Sequence, residues 1–280
     1  MKCMLAFAGL ACALLSSAAR AEVQDCIEIV AVPTVITQQG VHCFKKDLST
    51  NITTGNAITI NAHNVIIEMN GYKLGGLAGG TATTAIGIYT LDRQNITVRN
   101  GSVRGFGENV YLDATGDGSS GASKGHIVED MRIEAARSHG IHIEGRHSIV
   151  RNNFVFDTGN GSFAIARGIF VQSGPGHTVT GNVVSGVTET GEAAGILLST
   201  APGAIVRGNQ VHDISANSSF GISVQTSPDV ILQDNAIGNS SPGDAGIFAN
   251  GVSHICVDNV ASNFATGFIG CEVDQGNFNL

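Results

Sequence analysis

The sequence contains no tryptophan, and only 14% of its residues are charged. The first absence removes the indole platform on which sugar rings often stack, leaving tyrosine and phenylalanine for that task. Cations are scarce: 15 Lys and Arg stand against 23 Asp and Glu. That acidic balance argues against nucleic acid as a general partner, because phosphate binding needs clustered positive charge. Beyond the N-terminal segment no run is long and apolar enough to span a bilayer, and no long stretch carries apolar residues at a helical period.

The N-terminal segment reads as a secretory signal. Lys2 supplies a positive start, Met4 to Leu15 is apolar, and Ala19-Arg20-Ala21 is a small-x-small cleavage site. Residues 1–21 are therefore expected to be removed. Their loss takes away Lys2 and Arg20 and no acid, leaving 13 cations, 23 acids and a net charge of −10. The expected location is secreted or periplasmic, as a monomer. Four cysteines remain, Cys26, Cys43, Cys256 and Cys271, two near each end. Export permits disulfides, and Cys26–Cys43 and Cys256–Cys271 would each staple one end, the alternative being buried thiols.

What the chain has in abundance is glycine, 37 residues, between short apolar stretches. This favours many turns and short strands. One pattern, β-formers followed by a polar pair ending in Asn, Asp or Gly, closes at residues 71, 101, 130, 153, 182, 209, 235 and 259. Its steps are 30, 29, 23, 29, 27, 26 and 24 residues. A second pattern runs between them: Gly140-Ile141-His142-Ile143, Gly168-Ile169-Phe170-Val171, Gly195-Ile196-Leu197-Leu198, Gly221-Ile222-Ser223-Val224, Gly246-Ile247-Phe248-Ala249 and Gly267-Phe268-Ile269. The matching drift of the two patterns identifies a repeat that cannot bury its own apolar face and must stack. Residues 57–280 are expected to form an all-β, single-stranded right-handed parallel β-helix, a solenoid of about eight coils. Residues 22–56, with Pro33, are expected to form an N-terminal cap, and the tail after Phe268 a C-terminal one. Asn153, Asn182, Asn209, Asn235 and Asn259 would stack as a structural ladder at one tight turn, taking the left-handed backbone it needs.

The Gly-Ile-x-Val strands, the turn asparagines and the coil length resemble the pectin-lyase-like right-handed β-helix superfamily. They are also similar to secreted parallel β-helix repeat proteins, related to the carbohydrate-binding and sugar-hydrolase repeats of periplasmic copper-maturation proteins. The resemblance covers roughly residues 50–275, by the coil count. It is specific for fold and weak for activity, since the superfamily holds lyases, hydrolases, epimerases and adhesins.

Alternation along each strand sends Ile and Val inward and the residues between them outward. The outward pairs are Tyr111/Asp113, His142/Glu144, Phe170/Gln172, Leu197/Ser199, Ser223/Gln225 and Phe248/Asn250, with Tyr89 at the top. The resemblance implies that this column is the floor of a substrate cleft. Lys124, Arg132, Arg137, Arg146, Arg151 and Arg167 crowd six of the 13 cations into 44 residues. A locally basic groove would suit an anionic, uronate-containing polysaccharide, with a lyase or epimerase as the expected activity. A non-catalytic carbohydrate-binding protein is the alternative.

In that reading His142 is the base, since imidazole titrates near neutrality. Tyr111 is the acid. Arg167 and Arg146 clamp the carboxylate. Asp113 and Glu144 orient His142 or hold Ca²⁺, or serve a hydrolase as acid and base. Phe170, Gln172 and Tyr89 complete the binding surface. His142 and Glu144 could equally be a solvated surface pair. His139 is expected to point away from His142, so no metal site is expected. The Asp-Pro-His motif of uronate epimerases and the Asp clusters of pectate lyases are absent. Thr115 to Gly125 interrupts the repeat and is expected to loop over the cleft or to run as a flexible excursion.

Overall fold

In the computed structural model the structure describes residues 26–116 and 121–280; the signal segment lies outside the described residues. The chain winds into a parallel β-helix of about nine turns, with every strand hydrogen-bonded to its counterpart one coil away. Three parallel sheets run its length. The first contains Ile86–Leu91, Glu108–Asp113, His139–Glu144, Ile165–Gln172, Glu192–Ser199 and Ser218–Gln225. The second is built on short strands such as Ile149–Arg151 and Ile205–Arg207. The third includes Phe154–Gly159 and Val183–Thr188.

The interior is a set of aliphatic columns. In the first sheet Val110, Ile141, Ile169, Ile196, Ile222 and Ile247 stack with no solvent exposure. Each such burial is worth roughly 1.5–3 kcal/mol, which is why the repeat tolerates variation outside and little inside.

The glycine before each isoleucine has a steric cause. A Cβ on Gly168 would lie 2.4 Å from Val184 Cγ1 and 2.7 Å from the Gly195 carbonyl oxygen, and Gly140, Gly195 and Gly221 are confined in the same way. The backbone there presses against both the core and the next coil.

The asparagine ladder is present and one rung longer than expected. Asn153, Asn182, Asn209, Asn235 and Asn259 each donate from Nδ2 to the Oδ1 of the next, at 2.9–3.0 Å, ending on Asn277. The left-handed backbone, however, belongs to the preceding residue: Asn152, Gly181, Gly208, Asp234, Asp258 and Gly276 have positive φ. The ladder residue instead turns its amide across the turn, as Asn182 does to the Val150 carbonyl at 2.9 Å.

The terminal segments extend the stack. Thr34–Ile36, Gly40–Cys43 and Leu48–Ser49 pair with the coil above residue 56, so residues 27–49 supply strands to all three sheets. At the other end Val273–Gln275 and Phe278–Asn279 continue two ladders. Cys26–Cys43 and Cys256–Cys271 are disulfides, joining cysteines 17 and 15 positions apart at the two ends.

Candidate functional site

Register places the expected outward residues in one file. Tyr89, Tyr111, His142, Phe170, Leu197, Ser223 and Phe248 are successive partners in the first sheet. In the upper part the rings touch. Tyr111 and His142 stack at 4.2 Å, 3° from parallel, and His142 and Phe170 stack at 4.4 Å. Tyr89 meets Tyr111 edge-on at 5.6 Å.

Three residues outside the expected set complete the cluster: Glu108, His139 and Glu192. His139 faces the same way as His142, contrary to strict alternation. The reason is the Gly140-Ile141 pair: both positions turn inward, Gly140 toward Val155 and Ile133, so His139 returns to the outer face. Glu108 stands beside His139 in register. Its carboxylate receives both imidazoles, with His142 Nδ1 3.0 Å from Oε2 and His139 Nδ1 3.5 Å from Oε1. The signal was available: Glu108 precedes Val110 by the spacing with which His139 precedes Ile141.

His142 lies between two acids. Its Nε2 is 3.3 Å from Glu144 Oε1 but out of hydrogen-bond alignment, so that contact is electrostatic and the buried nitrogen has no hydrogen-bond partner. Burial alone would lower the His142 pKa, but Glu108 and Glu144 outweigh it and hold the ring above the ordinary histidine value. Burial likewise acts to raise Glu108, yet the two histidines bring it down to about 2. His139 goes the other way. Its burial, with His142 and Arg167 close by, keeps it below the ordinary value despite Glu108.

The tyrosines are donors. Tyr111 donates to Glu144 at 3.0 Å and Tyr89 to Asp113 at 2.8 Å. Burial and these carboxylates push both phenols above their ordinary range. Burial also raises Asp113, against the hydrogen bond from Tyr89. Arg167 lies 4.7 Å over the Phe170 ring, donates to His139 Nε2 at 3.1 Å, and reaches Glu192 at 3.3 Å.

The expected basic groove does not form. A stretch of 44 residues is longer than one coil, so its cations are distributed around the circumference. Arg132 packs over Phe154 and Phe156 on the third sheet, at 5.5 and 4.7 Å. Arg151 pairs with Glu129 on the second, at 2.8 Å. The backbones of Lys124 and Arg146 pair in an isolated β-bridge at a bend, Arg146 following Gly145 at the end of its strand. Among the described residues Arg167 packs over the column's stacked rings, and Glu108, Asp113, Glu144 and Glu192 border them. Gln172 is the register partner of Glu144. Part of the Thr115–Gly125 insertion, residues 117–120, lies outside the described residues. Thr115 is tied back by its backbone amide to Asp92 at 2.8 Å.

Fold and column together define a pectin-lyase-like parallel β-helix. The family model for NosD, described as periplasmic copper-binding protein, matches residues 32–265, and the chain belongs to that family. No curated protein matches the chain. Among solved structures it is similar to the Dettilon tailspike protein, with 16% identity, a TM-score of 0.57, and coverage of 85% of this chain and 46% of that one. It is also similar to the A-module of the Azotobacter vinelandii mannuronan C-5 epimerase AlgE6, at 13% identity and TM-score 0.52, covering 88% and 75%. The pectate lyase Pel9A matches at 12% identity and TM-score 0.51, covering 85% and 65%. The chain spans less than half the length of the tailspike proteins it matches. At these identities the likeness is one of fold.

Proposed function

We propose that this protein engages a polysaccharide along the first-sheet column and acts on it as a lyase or epimerase of uronate-containing chains. The observation that carries this is the unbroken ring file Tyr89–Tyr111–His142–Phe170 with carboxylates bonded at its edges. Coils stack about 4.8 Å apart, comparable to one sugar residue. The tailspike, epimerase and lyase likenesses support the same reading.

The residues assigned to the chemistry are His142, Tyr111, Arg167 and Asp113. The roles differ from those read in the sequence. A histidine whose pKa two carboxylates raise above its ordinary value is better suited to give a proton than to take one, so His142 protonates the departing glycosidic oxygen of a lyase. Asp113, made more basic by burial, takes the C5 proton. Arg167 stabilises the negative charge that develops beside that carbon. Tyr111 orients Glu144 through its hydroxyl and is no ready proton source. Glu144, Gln172, Phe170 and Tyr89 line the sugar path. Arg146 would touch only a chain reaching the end of the strand.

A second reading, binding without turnover, is favoured by one observation: both faces of His142 are covered by rings, and Glu108 and Glu144 engage its two nitrogens. The family description and the two disulfides support a periplasmic or secreted location. Among the described residues no helix is long and apolar enough to cross a membrane.

The test is incubation with alginate, pectate, hyaluronan, chondroitin and a neutral glucan, following the absorbance of unsaturated ends and, for epimerisation, the NMR spectrum of the polymer. Turnover of a uronate polymer that is lost in His142→Ala supports the enzyme. Binding without product supports the second reading. No interaction with any polymer defeats both.

Copper enters through the family description, and the residues can be tested against it. Soft Cu(I) prefers sulfur. Met69 and Met131 are buried in the core and the four cysteines are paired, so among the described residues no sulfur ligand faces the column. The imidazoles and carboxylate of His139, His142 and Glu108 fit a divalent ion of intermediate softness instead.

A further inference from the structure

We infer that Glu108, His139 and His142 form a divalent transition-metal site, tightest for Cu(II), whose occupancy is controlled by Arg167. The inference does not rest on the glycan reading.

Three observations carry it. The ligand atoms of the three residues all lie within 4.8 Å of one another. The separations from Glu108 to the two Nδ1 atoms, 3.0 and 3.5 Å, bracket the roughly 3.3 Å between ligands of a tetrahedral site with bonds of about 2.0 Å. Their side chains are 22%, 12% and 7% exposed, so the site is sheltered but reachable from solvent. Two imidazoles and a carboxylate are donors for Cu(II), Zn(II) or Ni(II), and among these Cu(II) binds most strongly.

The surroundings treat the two histidines differently. With a metal on His142 Nδ1, its Nε2–H lies 3.3 Å from Glu144 Oε1, and a small turn of that carboxylate into line would make it an outer partner that steadies the ring. His139 is hindered. Arg167 Nη1 donates to His139 Nε2, which places the His139 proton on Nδ1, the nitrogen the metal needs. Metal binding moves that proton to Nε2, where it would face another donor. Arg167 must then give up His139 and rely on Glu192, which it already reaches. Arg167 is thus a positioning residue that sets which tautomer His139 adopts. A bound ion would also remove His142 from proton transfer, so metal and acid–base chemistry exclude each other at this site.

The test is calorimetric titration of EDTA-stripped protein with Cu²⁺ and Zn²⁺, with electron paramagnetic resonance of the Cu²⁺ form. One Cu²⁺ per chain with two coordinating nitrogens is expected. His142→Phe preserves the ring stack and removes the nitrogens; it and His139→Phe should each weaken binding at least tenfold. Arg167→Gln, whose amide oxygen can accept from Nε2–H, should tighten binding several-fold, or reveal it if the unsubstituted protein binds weakly. His63→Ala should change nothing. Cu²⁺ without nitrogen ligands, binding unchanged in both histidine variants, or no binding in either the unsubstituted or the Arg167→Gln protein overturns the site. Equal affinities of those two proteins overturn the role of Arg167. The nitrogen count on the unsubstituted chain keeps the test valid if a variant fails to fold.

Discussion

Two stretches of the first sheet share one interior and differ in almost everything outside it. Inward, Ile141 and Ile222 occupy equivalent positions and are both fully buried. Outward, the upper coils carry Tyr111, His142 and Phe170 with Glu108, Asp113 and Glu144 around them. The lower coils carry Leu197, Ser223 and Phe248 with Ser199, Gln225 and Asn250. The lower column holds no titratable side chain at these positions. The solenoid thus separates two demands that compact domains often mix. Stability is supplied coil by coil from inside, while the outer face is free to vary, and chemistry concentrates where acids and imidazoles fall in register.

The largest way to break this contrast is on turnover of a responsive polymer. His142→Ala is expected to reduce it by about 10²–10⁴-fold, the usual weight of one acid–base group, while Ser223→Ala, three coils further along the same file, leaves it unchanged. Initial rates at saturating polymer decide this. Stability should show the reverse symmetry. Ile141→Ala and Ile222→Ala should each cost about 2–5 kcal/mol by denaturant unfolding; a large difference between them would show that the two halves do not share one kind of core.

A smaller effect concerns the turn. Asn209→Ala strands the Val179 carbonyl and two donors of Asn182, and should cost about 1–3 kcal/mol.

The smallest is a pH signature confined to the upper half. Because the folded pKa of His142 is raised, its contribution is complete below the unfolded value of about 6.5 and fades as pH rises through the folded value. Glu108 is lowered, so its contribution is complete above its ordinary value of 4.5 and is lost as pH falls toward about 2. Unfolding free energies of the unsubstituted protein minus those of His142→Phe should therefore be largest between these limits, whereas a Ser223→Ala difference should be flat with pH.

The column itself was legible because alternation and a repeated Gly-Ile pattern are local properties, and register then follows from coil length. Glu108 and His139 were harder to see. His139 breaks alternation only because Gly140 and Ile141 both face inward, a consequence of the next coil pressing on the glycine. The basic groove was misread for the opposite reason: closeness in sequence was taken for closeness in space, and in a coil of some 27 residues that inference turns Arg132 and Arg151 to other sheets.

By itself the sequence determined the repeat, the parallel β-helix, the inward aliphatics and the asparagine ladder, and it named the two cysteine pairs that the structure closes as disulfides. Each follows from periodic burial or from residue chemistry that acts within one coil. Only the tertiary structure decided that Glu108 would gather two histidines, that Arg167 would lie over the stacked rings while Arg132 and Arg151 went to other sheets, and that Glu108 and Glu144 would hold the His142 pKa above its ordinary value. Those facts depend on which side chains meet across coils, where burial and neighbouring charge, rather than residue type, set the state of a proton.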